Sequence, residues 1–208
     1  ETICNILIEL GININTIPVL DLLQKKTQKI IRTRSFSNKH DTIRYLGNFC
    51  ISYLKKKKIG SVTKHVPGHG CSNTDSHLKL PIVSKKAIRL QKEDFVLFKN
   101  LNSHFIMTAH ILYKDVDKKN LATFSQHIIN KIIRKKLNFK GIIISDDISM
   151  KALSTNLSLN AERALNAGCN LVLYCNGDIK QSKRLLKNLR SIDKHTLKKT
   201  YQFYNFLR

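Results

Sequence analysis

Residues Lys64 to His77 read KHVPGHGCSNTDSH and carry three of the chain's eight histidines and an aspartate on a stretch broken by Pro67, Gly68 and Gly70. So many titratable groups on one loop suit a metal site, an acid/base site or a polar surface turn. His65, His69, Asp75, His77 and, further on, His110 are candidate zinc or iron ligands. His65 and His69 have a helical spacing, but Pro67 and Gly68 between them forbid a helix, and neither H-x-H nor H-E-x-x-H occurs. A metal-dependent barrel hydrolase stays as the alternative.

Acid/base chemistry asks for less. Asp75 and His77 are close enough in a bent loop for the carboxylate to bond one ring nitrogen. That bond would fix the tautomer and raise the imidazole toward the range of a proton donor working near neutrality. Asp146 follows the apolar run GIII and Ser145. Partly buried at a cleft, it would be an anion able to attack or stabilise a cationic centre. A carboxylate facing a mobile acid/base histidine suits displacement at an acetal carbon. Bland readings compete: Asp75 as a turn-forming residue, His77 on the surface, and the Asp146-Asp147 pair capping a helix.

These residues need elements to hold them. Five short β-branched runs stand out: GININ from Gly11, IGSVT from Ile59, HFIMTA from His104, GIIIS from Gly141 and NLVLY from Asn170. Amphipathic stretches separate them. One carries Ile88, Phe95 and Phe98; another carries Ile128, Ile129, Ile132, Ile133 and Leu137; a third ends at Gly168, a suitable residue just past a helix. The opening ETICNILIELG predicts a helix with Ile3, Ile6, Leu7 and Leu10 on one face. The basic tail from Ile179 predicts a helix with Leu185, Leu186, Leu189 and Ile192 on its apolar side. Alternating strands and helices imply parallel strands with crossovers, and continuously apolar strands imply that both sheet faces are covered. Polar groups follow every strand, at the edge where parallel α/β folds bind ligands. No G-x-G-x-x-G and no phosphate-binding loop lysine follows a strand, which disfavours nucleotides.

Composition sets wider bounds. With 208 residues, 42% of them hydrophobic and 25% charged, the chain supports one core, so residues 1–208 are read as a single domain. Its net charge of +23 raises nucleic acid or anionic membrane as partners. Yet the densest run, Lys55 to Lys58, closes a helix-like stretch without interleaved aromatics, so neither is expected as a partner. Five cysteines without a CxxC pair point to a reducing cytoplasm, and no apolar stretch approaches the roughly 20 residues of a membrane span.

KHVPGHG with DSH, GIIISDDISM, RSFS from Arg34, GININTIPVLD, TAH and AGCNLVLYCN, in this order, resemble the family 3 glycoside hydrolases, in particular the bacterial β-N-acetylhexosaminidases of peptidoglycan recycling. The resemblance covers roughly residues 1 to 178. It implies a (β/α)8 TIM barrel and a retaining hydrolase acting on terminal β-linked N-acetylglucosamine of muropeptides, needing no cofactor or metal and monomeric at full length. It further implies that the Gly-rich loop is a flap delivering His77 as general acid/base, oriented by Asp75. Asp146 is implied as the nucleophile, and Arg34, Lys64 and His65 as groups that bind sugar hydroxyls and the N-acetyl group.

The chain departs from the pattern too. Val66 stands where an aromatic is common and Ile17 where alanine usually precedes the proline; both are expected to be tolerated. The family's Asp-Gln-Glu-Gly-Gly-Arg segment, which supplies further substrate-binding groups, has no counterpart here. Five or six strands cannot close an eight-stranded barrel. The expectation is therefore a barrel incomplete at its N-terminus, poorly soluble and with little or no hexosaminidase activity by itself. A non-catalytic relative with a basic binding surface is the further alternative.

Overall fold

The computed structural model describes residues 1–153 and 155–208. Five parallel strands form one sheet: β1 (Ile14–Asn15), β2 (Gly60–Val66), β4 (Phe105–Thr108), β6 (Ile142–Asp147) and β7 (Leu171–Leu173). Each pairs with the next in the chain, so spatial order equals sequence order. That singly wound order is the one a (β/α) barrel has. The sheet curls into a half-barrel, and β1 and β7 remain its two edges. A closed barrel would need every strand paired on both sides, so the eight-stranded barrel expected from the sequence is reduced here to an open half-barrel.

All five expected strands are present, and their side chains divide cleanly between the faces. Val66, Ile106 and Ile143 join the main core, which packs the sheet against its crossover helices. Val62, Phe105, Met107 and Ile142 face the other way and are covered by Phe203.

The crossovers explain themselves locally. Helix α3 (His40–Lys56) buries Ile43, Gly47, Ile51 and Leu54 along one stripe, and a Cβ at Gly47 would meet Leu20 Cδ2 at 2.4 Å, so a larger residue there would have to displace the Leu20 side chain. Its lysines lie at its C-terminal end, where cations are favoured. The segment His127–Lys136 is wound as a π-helix and buries Ile128, Ile129, Ile132 and Ile133. Helix α5 (Leu157–Ala167) begins on Asn156, which accepts from Leu159 N–H at 2.9 Å, and ends on Gly168 at φ +115°. Two short helices also precede the later strands: α2 (Lys29–Arg32) and α4 (Ala87–Glu93). No helix is long and apolar enough to cross a membrane among the described residues.

Three expected apolar faces come out differently. In α1 (Thr2–Glu9) the side that packs carries Cys4 and Leu7, while Ile3, Ile6 and Leu10 are exposed. Ile88 is exposed although Phe95 and Phe98 are fully buried, because the stripe breaks where α4 gives way to a 3-10 turn at Phe95. The basic tail forms two helices, α6 (Ile179–Asn188) and α7 (Lys194–Leu207); Leu185 is buried while Leu186 and Ile192 are exposed.

A small parallel pair was not anticipated: β3 (Ile82–Val83) with β5 (Leu112–Tyr113). It ties down the far end of the Gly-rich loop.

Candidate active site

At the C-terminal ends of β2 and β6, a cavity of about 300 Å3 is lined by Arg34, Lys64, His65, His69, Ser76, His77, Asp146, Asp147 and Cys175, among others. A larger cavity of about 780 Å3 lies at the opposite end of the strands, against α7, and holds none of these groups. We take the smaller one as the site because all the candidate side chains but Asp75 and His110 line it. Asp75 stands just outside, bonded to His77, and His110 is fully buried.

Lys64 and His65 end up here because β2 runs straight into the Gly-rich loop. The loop's root is fixed by several contacts. Tyr113 donates its hydroxyl to Gly68 O at 2.6 Å, Thr27 donates to Gly70 O at 2.7 Å, and Gln28 N–H donates to Ser72 O at 3.0 Å. A Cβ at Gly70 would stand 1.9 Å from Leu22 O, so the chain can pass only as glycine. Beyond this root the loop carries the pair expected from the sequence. Asp75 Oδ1 accepts from His77 N–H at 2.8 Å and stands 2.9 Å from His77 Nδ1. Burial would push the Asp75 carboxyl up, but these hydrogen bonds and the imidazole hold it below its ordinary value. The His77 side chain is half exposed. Between the two, Ser76 is docked: its carbonyl accepts from Ala152 N–H at 3.2 Å and its hydroxyl lies 3.4 Å from His69 Nε2.

Across the cavity, Asp146 sits at the tip of β6, partly buried, with Oδ1 accepting Asp147 N–H at 2.9 Å. Burial works to raise its carboxyl, yet His65, His110, that N–H and the Lys64 ammonium outweigh it, and the group is held below the ordinary carboxylate range. It is an anion at neutral pH. Lys64 is pushed down by burial and by the neighbouring Arg34, against the pull of Asp146 and Asp21. Arg34 follows α2, is exposed, and steadies its guanidinium by donating to Ile30 O at 2.8 Å. The arrangement thus offers a proton donor on a loop, a fixed anion opposite it, and cationic and imidazole groups between them.

Asp147 does not cap a helix, since a turn follows it; its carboxylate accepts from Ser149 N–H at 3.0 Å, from the Ser149 hydroxyl at 2.7 Å and from Cys175 N–H at 3.2 Å. His110 is fully buried and structural: Nε2 donates to Asp147 O at 3.0 Å, and Nδ1 lies 2.8 Å from the Thr123 hydroxyl. Among the described residues, no group of three or more His, Cys, Asp or Glu side chains is arranged to hold a metal ion.

Sequence reasoning passed over one residue. Asp21, closing the TIPVLD run, is completely buried and bonds His65 Nδ1 at 2.7 Å and His69 N–H at 2.6 Å. The only available signal was its place after the first strand, a position shared with many turn residues. His69, buried beside it, is pushed down to about 4 by burial and by His65.

Residues 1–202 match the glycosyl hydrolase family 3 N-terminal domain. A beta-hexosaminidase of Methylobacillus flagellatus is 36% identical over 185 residues, which cover 86% of this chain and 52% of that protein. The native NagZ structure from Neisseria gonorrhoeae superposes with a TM-score of 0.85 at 30% identity, over 96% of this chain and 58% of that one. A family 3 β-N-acetylglucosaminidase from a Paenibacillus species gives a TM-score of 0.88 at 27% identity, over 98% of this chain and 41% of that one. The chain spans about half the length of the curated relatives it matches.

Proposed function

This chain belongs to glycosyl hydrolase family 3, and from that premise we propose that it carries the catalytic face of a retaining β-N-acetylhexosaminidase. The observation that supports this best is that His77, held by Asp75, and the ionised Asp146 line one cavity. In the proposed reaction, Asp146 attacks the anomeric carbon while His77 gives its proton to the departing glycosidic oxygen. The result is a glycosyl ester on Asp146. His77, now neutral, takes a proton from water, which attacks the same carbon and releases the carboxylate. Two inversions at one carbon leave its configuration retained.

Arg34, Lys64 and His65 are the proposed binding groups for the hydroxyls and the N-acetyl group. Fork-like guanidinium and compact ammonium donors suit oxygen acceptors on a sugar. We propose terminal β-linked N-acetylglucosamine as the sugar, as the names of the relatives suggest, and peptidoglycan fragments as its source, as the motif resemblance implies. The full eight-stranded barrel would be the setting of the whole protein's activity.

The test is release of chromophore from an aryl N-acetyl-β-glucosaminide by the purified chain. Turnover, however slow, that disappears in both His77→Ala and Asp146→Asn supports the reading. Turnover that survives both substitutions refutes it.

A further inference from the structure

The completely buried carboxylate of Asp21 has no part in the reaction as written, yet it holds two groups of the site. Its Oδ2 lies 2.7 Å from His65 Nδ1, and its Oδ1 accepts His69 N–H at 2.6 Å. His65 N–H also points to both oxygens, at 3.3 and 3.4 Å. The aspartate is itself fixed, since Ser35 donates its hydroxyl to Asp21 O at 2.8 Å and Leu20 N–H donates to Lys64 O at 2.9 Å. An ionised carboxylate only accepts, so His65 Nδ1 must carry the proton. The other ring nitrogen, Nε2, makes no hydrogen bond among the described residues, and the ring lines the cavity.

We propose that Asp21 is a positioning residue: it fixes the tautomer and plane of His65, so that Nε2 faces the sugar as an acceptor for a hydroxyl, and anchors the root of the His77 loop through His69 N–H. The assignment rests on the reading that the cavity binds a sugar. Each oxygen has its own task. One aims a binding group and the other holds the loop, so the two cannot shift independently.

Asp21→Asn separates the tautomer from the anchor. Its amide oxygen can still accept from His69 N–H, while its NH2 faces His65 Nδ1, makes that nitrogen an acceptor and drives the ring proton to Nε2. The 15N shifts of the His65 ring in the ligand-free chain at neutral pH read this directly. The expected result is a protonated Nδ1 and a bare Nε2 in the wild type, reversed in the variant. A bare Nδ1 in the wild type, or protons on both nitrogens, overturns the proposal, and this spectrum decides even where Asp21→Asn does not fold. Titration with N-acetylglucosamine supplies the functional half. Binding is expected to weaken roughly 10- to 100-fold in the variant, with thermal unfolding still cooperative. Unchanged binding with a reversed tautomer refutes the positioning role. A wild type with the expected tautomer that binds no N-acetylglucosamine refutes the sugar-site reading and leaves the proton assignment standing.

Discussion

His77 and Asp146 line the same cavity of about 300 Å3, the first carried by the Gly-rich loop after β2 and the second fixed at the tip of β6. In the proposed reaction the anion is the nucleophile. Asp146→Asn keeps an oxygen to accept Asp147 N–H and should leave the secondary structure unchanged while kcat/KM falls on the order of 10³-fold or more. Circular dichroism and aryl-glycoside kinetics on the same preparation check both halves; a loss under tenfold would contradict the assignment.

Among the described residues the Asp75 carboxylate hydrogen-bonds His77, at its N–H and at Nδ1. It stands 2.9 Å from His77 Nδ1 and fixes the ring, so Asp75→Ala should lower the plateau of kcat/KM by roughly 10-fold or more. Aryl-glycoside kinetics measure this, and an unchanged plateau would count against the pair. The Asp75 carboxyl is held below its ordinary 3.8, so the pair persists through the mildly acidic range.

His69 gives the fold a pH dependence of its own. Buried between His65, Asp21 and Asp146, its ring stays neutral in the folded chain down to about 4, whereas the unfolded chain protonates it below the ordinary 6.5. The unfolded state therefore binds more protons between these values, and stability falls as the pH drops through that window, by about 3 kcal/mol in all. His69→Gln should reduce this slope in denaturant titrations at pH 7, 5.5 and 4.5, leaving the part contributed by His110 and His104, which burial also holds below 6.5. The contribution of Asp21 has a separate window: its folded-state value lies below 3.8, so it is fully present above that pH and is lost only as the pH falls further.

Gly70→Ala tests the loop root. The added Cβ would stand 1.9 Å from Leu22 O and within 2.9 Å of Leu22 N, and backbone on both sides leaves no flexible side chain to yield. A cost of roughly 2–4 kcal/mol follows, read as a lower unfolding midpoint in urea. A midpoint equal to the wild type would show that the root can move.

The sequence made legible whatever depends on local pattern. Five strands were readable as continuous β-branched runs, although only the inner β2, β4 and β6 are largely buried while the edge strands β1 and β7 are partly covered, and the isoleucine stripe from Ile128 was readable because its spacing survives the π-helical winding. Asp75 and His77 were readable as a pair because they are two residues apart. Asp21 was not: its partners His65 and His69 lie 44 and 48 residues away and meet it only when β2 aligns with the segment after β1. Exposed faces such as Ile3 and Ile6 were misjudged for a related reason, since periodicity gives a helix an apolar side and tertiary packing decides which side is covered.

The central claim is that His77 and Asp146 act on one sugar, and the most direct test uses the His77→Ala variant with a dinitrophenyl N-acetyl-β-glucosaminide. That leaving group departs without an acid, whereas hydrolysis of the ester still needs a base. Intact-mass measurement followed by peptide mapping should find one N-acetylhexosaminyl residue accumulated on Asp146. An unmodified chain, or a sugar attached anywhere else, would contradict the account.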